Sequence, residues 1–120
     1  MAENPCIYMV GMNIPADATP QQEREFDQFY THTHVPEVVT NNAGFLTGRR
    51  YELVDRSLNG PRFLAVYEVA TEADAHAHLN RAANPTGSSV RYSTGPEVWQ
   101  KHDTLWRLMY KPVAEPFVRK

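Results

Sequence analysis

Tyr30, His34 and Glu37 are the residues in this chain whose types and spacing could do chemistry, and Pro36 stands among them. Tyr30 and His34 are four apart, so on a helix they lie one above the other, and Phe26 and Val38 complete the same stripe. The stripe points an imidazole toward an otherwise apolar interior. Burial disfavours the imidazolium, and a ring kept neutral near pH 7 suits proton abstraction. Tyr30 can donate a hydrogen bond to a carbonyl or enolate oxygen. Glu37 can orient the imidazole, or simply favour the first turn of a helix. Pro36 lacks an N–H and disfavours helical geometry in the residue before it. It is expected to push Val35 out of the helix and to leave the His32 carbonyl without its usual partner. The structural alternative is a packed Tyr30 and a core His34 satisfied by a backbone carbonyl or by Glu37.

The other candidates are looser. His32 and His34 are two apart, as are His76 and His78. Helical side chains two apart diverge by roughly 200°, whereas a helical metal pair needs a spacing of three or four. No metal site is therefore expected; His32 should face solvent, and His76 and His78 read as ordinary helix residues. Arg49 and Arg50 point to opposite sides of a strand, and alternation alone does not say which could meet a carboxylate or enolate. Tyr51 is in the same position. Trp99, His102 and Trp106 come close together in sequence. They can stack an aromatic ligand, with His102 a further acid/base candidate, or pack a short helix on a sheet. Cys6, at a strand start with no base nearby, reads as a small buried apolar residue.

Composition narrows the class. The chain has 120 residues, a formal net charge of -2, a hydrophobic fraction of 42% and a charged fraction of 22%, which suit one globular domain over residues 1–120. Arg49-Arg50 is a pair and not a patch, so no nucleic-acid partner is expected. No apolar run approaches a membrane span. Met1-Ala2-Glu3-Asn4 lacks a signal-peptide pattern, and the single Cys6 excludes an internal disulfide; both suggest the cytoplasm. No phosphate loop, Gly-x-Gly-x-x-Gly or Gly-x-Ser-x-Gly motif occurs.

These residues need elements to position them. Cys6 to Ile14 reads as a strand with two mostly apolar faces, hence an interior one. Thr19, Pro20 and Gln22 form a helix-start signal with a capping box, and that helix should run to about Val35. A shorter helix with Pro36 first should end at Asn41-Asn42-Ala43-Gly44. Phe45 to Val54 alternates as a strand, with Phe45, Thr47, Arg49, Tyr51 and Leu53 on one face. A hairpin loop, Ser57 to Pro61, leads to a strand from Arg62 to Val69. Thr71 begins a helix to about Ala83. Asn84 to Ser89 is a polar loop, Gly95-Pro96-Glu97 can start a short helix through Lys101, and Thr104 to Lys111 is the last strand. The order is β-α-β-β-α-β: an α+β, ferredoxin-like fold with an antiparallel sheet and its helices on one face. The bare face asks for a cover. A second copy of the chain is the simplest one, and the tail Val113 to Lys120 could reach it.

The helix ending Tyr30, His34, Pro36, Glu37, the turn Gly44-Phe45 and the strand run Arg49-Arg50-Tyr51 resemble the dimeric α+β barrel superfamily, its EthD-like branch in particular. The motif match covers about residues 26–54, and the element order extends it over most of the chain. The segment Asn84 to Asp103 has no counterpart in the pattern. The resemblance implies a homodimer and a small-molecule enzyme needing no cofactor. The reaction expected is proton transfer on an aromatic or carbonyl-bearing substrate, of isomerase, cyclase or lyase type. His34 would move the proton, while Tyr30 and Arg50, or its neighbour Arg49, stabilise the oxyanion. Pocket walls would come from Tyr8, Phe26, Phe29, Phe63, Tyr67 and Trp106, with Glu37, Tyr51, Trp99 and His102 as further binding candidates. A cofactor-free monooxygenase and a non-catalytic ligand-binding dimer are the rival readings.

Overall fold

The computed structural model describes residues 4–84 and 90–120. The start of the N-terminal segment, and the expected polar loop beyond Asn84, lie outside the described residues. Four strands form one antiparallel sheet: β1 (Cys6–Asn13), β2 (Phe45–Glu52), β3 (Phe63–Val69) and β4 (Asp103–Tyr110), in the order β2-β3-β1-β4. The doubly apolar β1 is interior, as its sequence implies. The helices are α1 (Pro20–Phe29), α2 (Val35–Asn41), α3 (Glu72–Ala83) and the short α4 (Glu97–Gln100). None is long and apolar enough to cross a membrane.

Caps set the helix starts. The Thr19 hydroxyl accepts from the Gln22 N–H, and the Gln22 side chain accepts from the Thr19 N–H at 2.8 Å, which closes the expected capping box. Thr71 caps α3 by accepting from the Asp74 N–H. Gly44, at φ +85°, supplies the left-handed residue that turns the chain from α2 into β2.

The expected break at Pro36 does not occur. Val35 keeps helical angles, φ -59° and ψ -48°, and α1 passes into α2 through a π-helical turn, Tyr30–His34. The Val35 N–H donates to the Tyr30 carbonyl, five residues back. The wider turn takes up the proline without ending the helix.

A second departure concerns β2. Phe45 pairs with Val69 and Thr47 with Glu68, so Leu46 is an extra residue in the ladder. The bulge flips the alternation after Phe45. Phe45, Gly48 and Arg50 therefore share the helix-covered face, where Phe45 meets Tyr8 and His78, Gly48 abuts Val35, and Arg50 bonds Asp27. Arg49 and Tyr51 take the opposite face.

The core lies between sheet and helices. Tyr8, Val10 and Met12 of β1 and Phe63, Ala65, Tyr67 and Val69 of β3 meet Phe26, Tyr30, Val35 and Val38 from the helices. Each large side chain buried there contributes roughly 1.5–3 kcal/mol. The other face carries Ile7, Leu108 and Tyr110, each at least 39% exposed.

Candidate functional site

A cavity of about 440 Å³ opens between the sheet and the helices. Tyr8, Val10 and Met12 of β1, Tyr67 of β3 and Arg107 of β4 form its floor. Tyr30, His34 and Val38 wall one side; His78, Arg81 and Ala82 of α3 wall the other. Trp99, His102 and Tyr92 stand on the return toward β4, and Asn42 closes the end of α2. A mostly apolar pocket with a few convergent polar groups is the usual form of a small-molecule site.

His34 sits in a ring of aromatics. Its imidazole lies 4.5 Å from the Trp99 ring, 5.5 Å from Tyr92 and 5.8 Å from Tyr30, centroid to centroid. Desolvation is the main force on it and lowers its pKa to about 4; Glu37 opposes the shift, while His102 and Arg107 add to it. The ring is neutral at pH 7. Its Nδ1 is buried with no hydrogen-bond partner. Neither a backbone carbonyl nor Glu37 satisfies it. The Glu37 carboxylate is taken by Ser93, whose N–H and hydroxyl donate to it at 2.9 and 2.5 Å. Those two bonds hold the Glu37 carboxyl below its usual range and fasten the chain after α3 onto α2.

Three phenols face the same space. Burial pushes the pKa values of Tyr8, Tyr30 and Tyr67 upward, so all stay protonated and can donate. Their hydroxyls bond to no other described residue and are not sealed from the cavity. Arg50 lies behind this wall. Its guanidinium is 4.4 Å from the centre of the Tyr30 ring, donates to Asp27 and Thr31 at 3.0 Å, and does not line the cavity. The arginine expected to touch an oxyanion instead braces the tyrosine from the side away from the pocket.

A second polar cluster occupies the far end. Asn42 is 4% exposed and uses both ends of its amide. The nitrogen donates to the Val38 carbonyl and to the Tyr92 hydroxyl; the oxygen accepts from Arg81 and meets His78 Nδ1, both at 3.3 Å. Burial, with help from Arg81 and Arg107, lowers the His78 pKa to about 4. Read as an ordinary helix residue, His78 is in fact buried on the inward stripe of α3. The signal was present: His78 follows the buried Ala75 by three and precedes Ala82 by four. Asn42 was read only as part of a helix stop.

His102 joins the cavity near the start of β4. Its Nδ1 donates to the Trp99 carbonyl, and its Nε2 lies in hydrogen-bond contact with the Thr104 hydroxyl at 3.1 Å. Trp99 itself is pressed against Gly95 and Phe29. Gly95 has φ +79°, and a Cβ there would lie 2.7 Å from the Trp99 ring and 2.8 Å from Phe29. Phe26 is fully buried behind Tyr30 and Trp99, and Phe63 lies with it, so neither reaches a ligand directly. Trp106 is a correction. It lies over Gly11 on the opposite face of the sheet, apart from Trp99 and His102, because the register shifts between Gly11 and Met12. Among the described residues, no group of three or more His, Cys, Asp or Glu side chains is placed to hold a metal ion.

No family model matches the chain, and no curated protein matches it. Among solved structures it is similar to the heme-degrader MhuD of Mycobacterium tuberculosis, determined with two hemes bound in its active site. The sequences are 20% identical, the likeness covers 94% of this chain and 100% of that one, and the TM-score is 0.54. The two proteins share the ferredoxin-like α+β fold.

Proposed function

We propose that the chain is a cofactor-independent small-molecule enzyme, of isomerase, cyclase or lyase type, in which His34 moves a proton on an aromatic or carbonyl-bearing substrate. One observation carries the reading: a neutral, partnerless imidazole among aromatic rings at a cavity wall. Such a ring can accept a proton at pH 7. Abstraction from an acidic C–H creates imidazolium and enolate together, and their attraction in a poorly solvated site offsets the desolvation that disfavours imidazolium alone. Tyr30, with Tyr8 or Tyr67, donates to the oxyanion as charge develops. The imidazolium then returns the proton to another carbon, or to a leaving group. The Tyr30-x-x-x-His34-x-Pro36-Glu37 spacing supports placing the chain with the EthD-like branch. The test is deuterium exchange. Aryl ketones and 2-oxo acids in D2O should lose their α-C–H proton signals with the parent chain and keep them with His34→Gln. Equal exchange in both proteins sinks the reading.

The fold shared with a heme-degrader favours a second reading, an oxygenase. An oxygen electrode with phenolic substrates tests the cofactor-free form. Titration with hemin tests the other, in which the porphyrin is substrate: a shifted visible absorption band that disappears in His34→Ala supports it.

The assembly we propose is a homodimer closed through the bare sheet face. The exposed Ile7, Leu108 and Tyr110 on that face support it, as does a tail whose Phe117 is 93% exposed. Light scattering should give a mass near twice 13.7 kDa. A monomer at micromolar concentration sinks it.

A further inference from the structure

The far end of the cavity has a charge that no described lining residue balances. Two arginines and three histidines line the cavity, and no described Asp or Glu does. Arg107 extends from β4 opposite Val10, on the helix-covered face, and forms no hydrogen bond or ion pair with any described residue. Its charge is felt at Tyr8 on the floor and at Tyr30, His34 and His78 on the two walls. Arg107 is exposed, and alone it would be an ordinary solvated cation. Arg81 is the telling partner. It is half-buried, its Nε is sealed off without an acceptor, and its guanidinium donates to the neutral amide oxygen of Asn42. The Arg50 Nε is sealed in the same way, but the Arg50 guanidinium has the Asp27 carboxylate, whereas no ion pair is seen at Arg81 among the described residues. A partly buried cation given only a neutral acceptor is unfavourable unless an anion joins it. Asn42 is itself tied to Val38 and Tyr92, so Arg81 is held in place before any ligand arrives.

We infer that the cavity takes a substrate bearing a carboxylate, received by Arg81 and Arg107 at the α3–β4 end, with its aromatic or carbonyl-bearing part directed toward His34 and Trp99. The inference deepens the proton-transfer reading and rests on it only for which end of the substrate reacts. Guanidinium forks suit a carboxylate better than any other side chain does. Burial keeps His34 and His78 neutral, so neither competes with the two arginines for the carboxylate.

The test uses 2-naphthoate and 2-naphthamide, alike in shape and different in charge, titrated into the full-length chain at pH 7 and followed by tryptophan fluorescence. The naphthoate should bind about tenfold tighter or better, as one charge-assisted pair implies. Salt should weaken the naphthoate and spare the naphthamide. Arg107→Gln and Arg81→Gln should each remove most of the preference. If Arg81→Gln does not fold, the exposed Arg107→Gln decides the matter. Equal binding of both probes by the parent chain, or a full preference retained in Arg107→Gln, overturns the inference. A preference lost in His34→Gln also overturns it, since the carboxylate would then sit at the imidazole. A preference intact in His34→Gln while proton exchange is equal in both proteins leaves the anion site standing and removes only the proton-transfer reading.

Discussion

His34 and His78 face one cavity from opposite helices, and burial holds both rings neutral with pKa values of about 4. Their company differs. His78 meets the Asn42 amide, which Arg81 and Tyr92 also share. Both rings pack against aromatics, but the buried Nδ1 of His34 has no partner. The same shift thus marks two different situations. A depressed histidine pKa reports burial, whereas the missing partner reports a group kept available. The far cluster is tied together by hydrogen bonds; the near imidazole is not.

The largest effect should come from His34→Gln. Turnover of the true substrate should fall roughly a hundred- to ten-thousand-fold with little change in binding, because a lost general base shows in the chemical step. His78→Gln should lower turnover far less. Equal losses from the two would erase the contrast. Asn42→Ala should destabilise the fold by roughly 2–4 kcal/mol, since a buried hub bonded to Val38, Tyr92, His78 and Arg81 is removed and its partners are left unpaired. Chemical denaturation measures it; a value near zero would mean that water replaces the amide readily. Tyr30→Phe should cost turnover about tenfold or somewhat more, less than His34→Gln, because other phenols line the floor.

The smallest effects concern pH. An unfolded imidazole takes its proton near 6.5, while folded His34 and His78 do so only near 4. Between those values the unfolded chain binds more protons, so the stability due to these rings is fully present above pH 6.5 and is lost as pH falls toward 4. Melting temperature should decline over that window, and His78→Gln should flatten the decline. The acidic limb of turnover should lie near pH 4, well below the ordinary histidine range.

The elements were legible because local chemistry specified them. Thr19 with Gln22, Thr71, and Gly44 after Asn42 mark ends that the backbone itself requires. The departures all came from one extra residue or one pairing that no local pattern contains. Leu46 bulges out of β2 and sends Arg50, not Arg49, to the helix side. The shifted pairing beside Gly11 leaves Trp106 on the far face. At Pro36 the usual steric preference lost to a π turn, which keeps the helix going with a longer hydrogen-bond step. His34, Tyr30, Tyr8 and Tyr67 line the cavity from regular helix or strand faces, where spacing can be read, whereas His102 does so from the turn between α4 and β4. Arg81 and Arg107 could not be named from spacing, since their sharing of a cavity lined by no described carboxylate is visible only once elements distant in sequence meet.

Gly95 carries a consequence for mutational tolerance. Its position looks permissive, in a chain segment before a four-residue helix. Yet its φ is +79°, and the indole of Trp99 and the ring of Phe29 occupy the space a side chain would need. In a saturation library selected for ligand binding, this site should accept glycine almost alone, while Thr94 beside it varies more widely. Substitution there would act by displacing the indole that lies against His34, so a surface backbone residue becomes a determinant of pocket shape without touching a ligand.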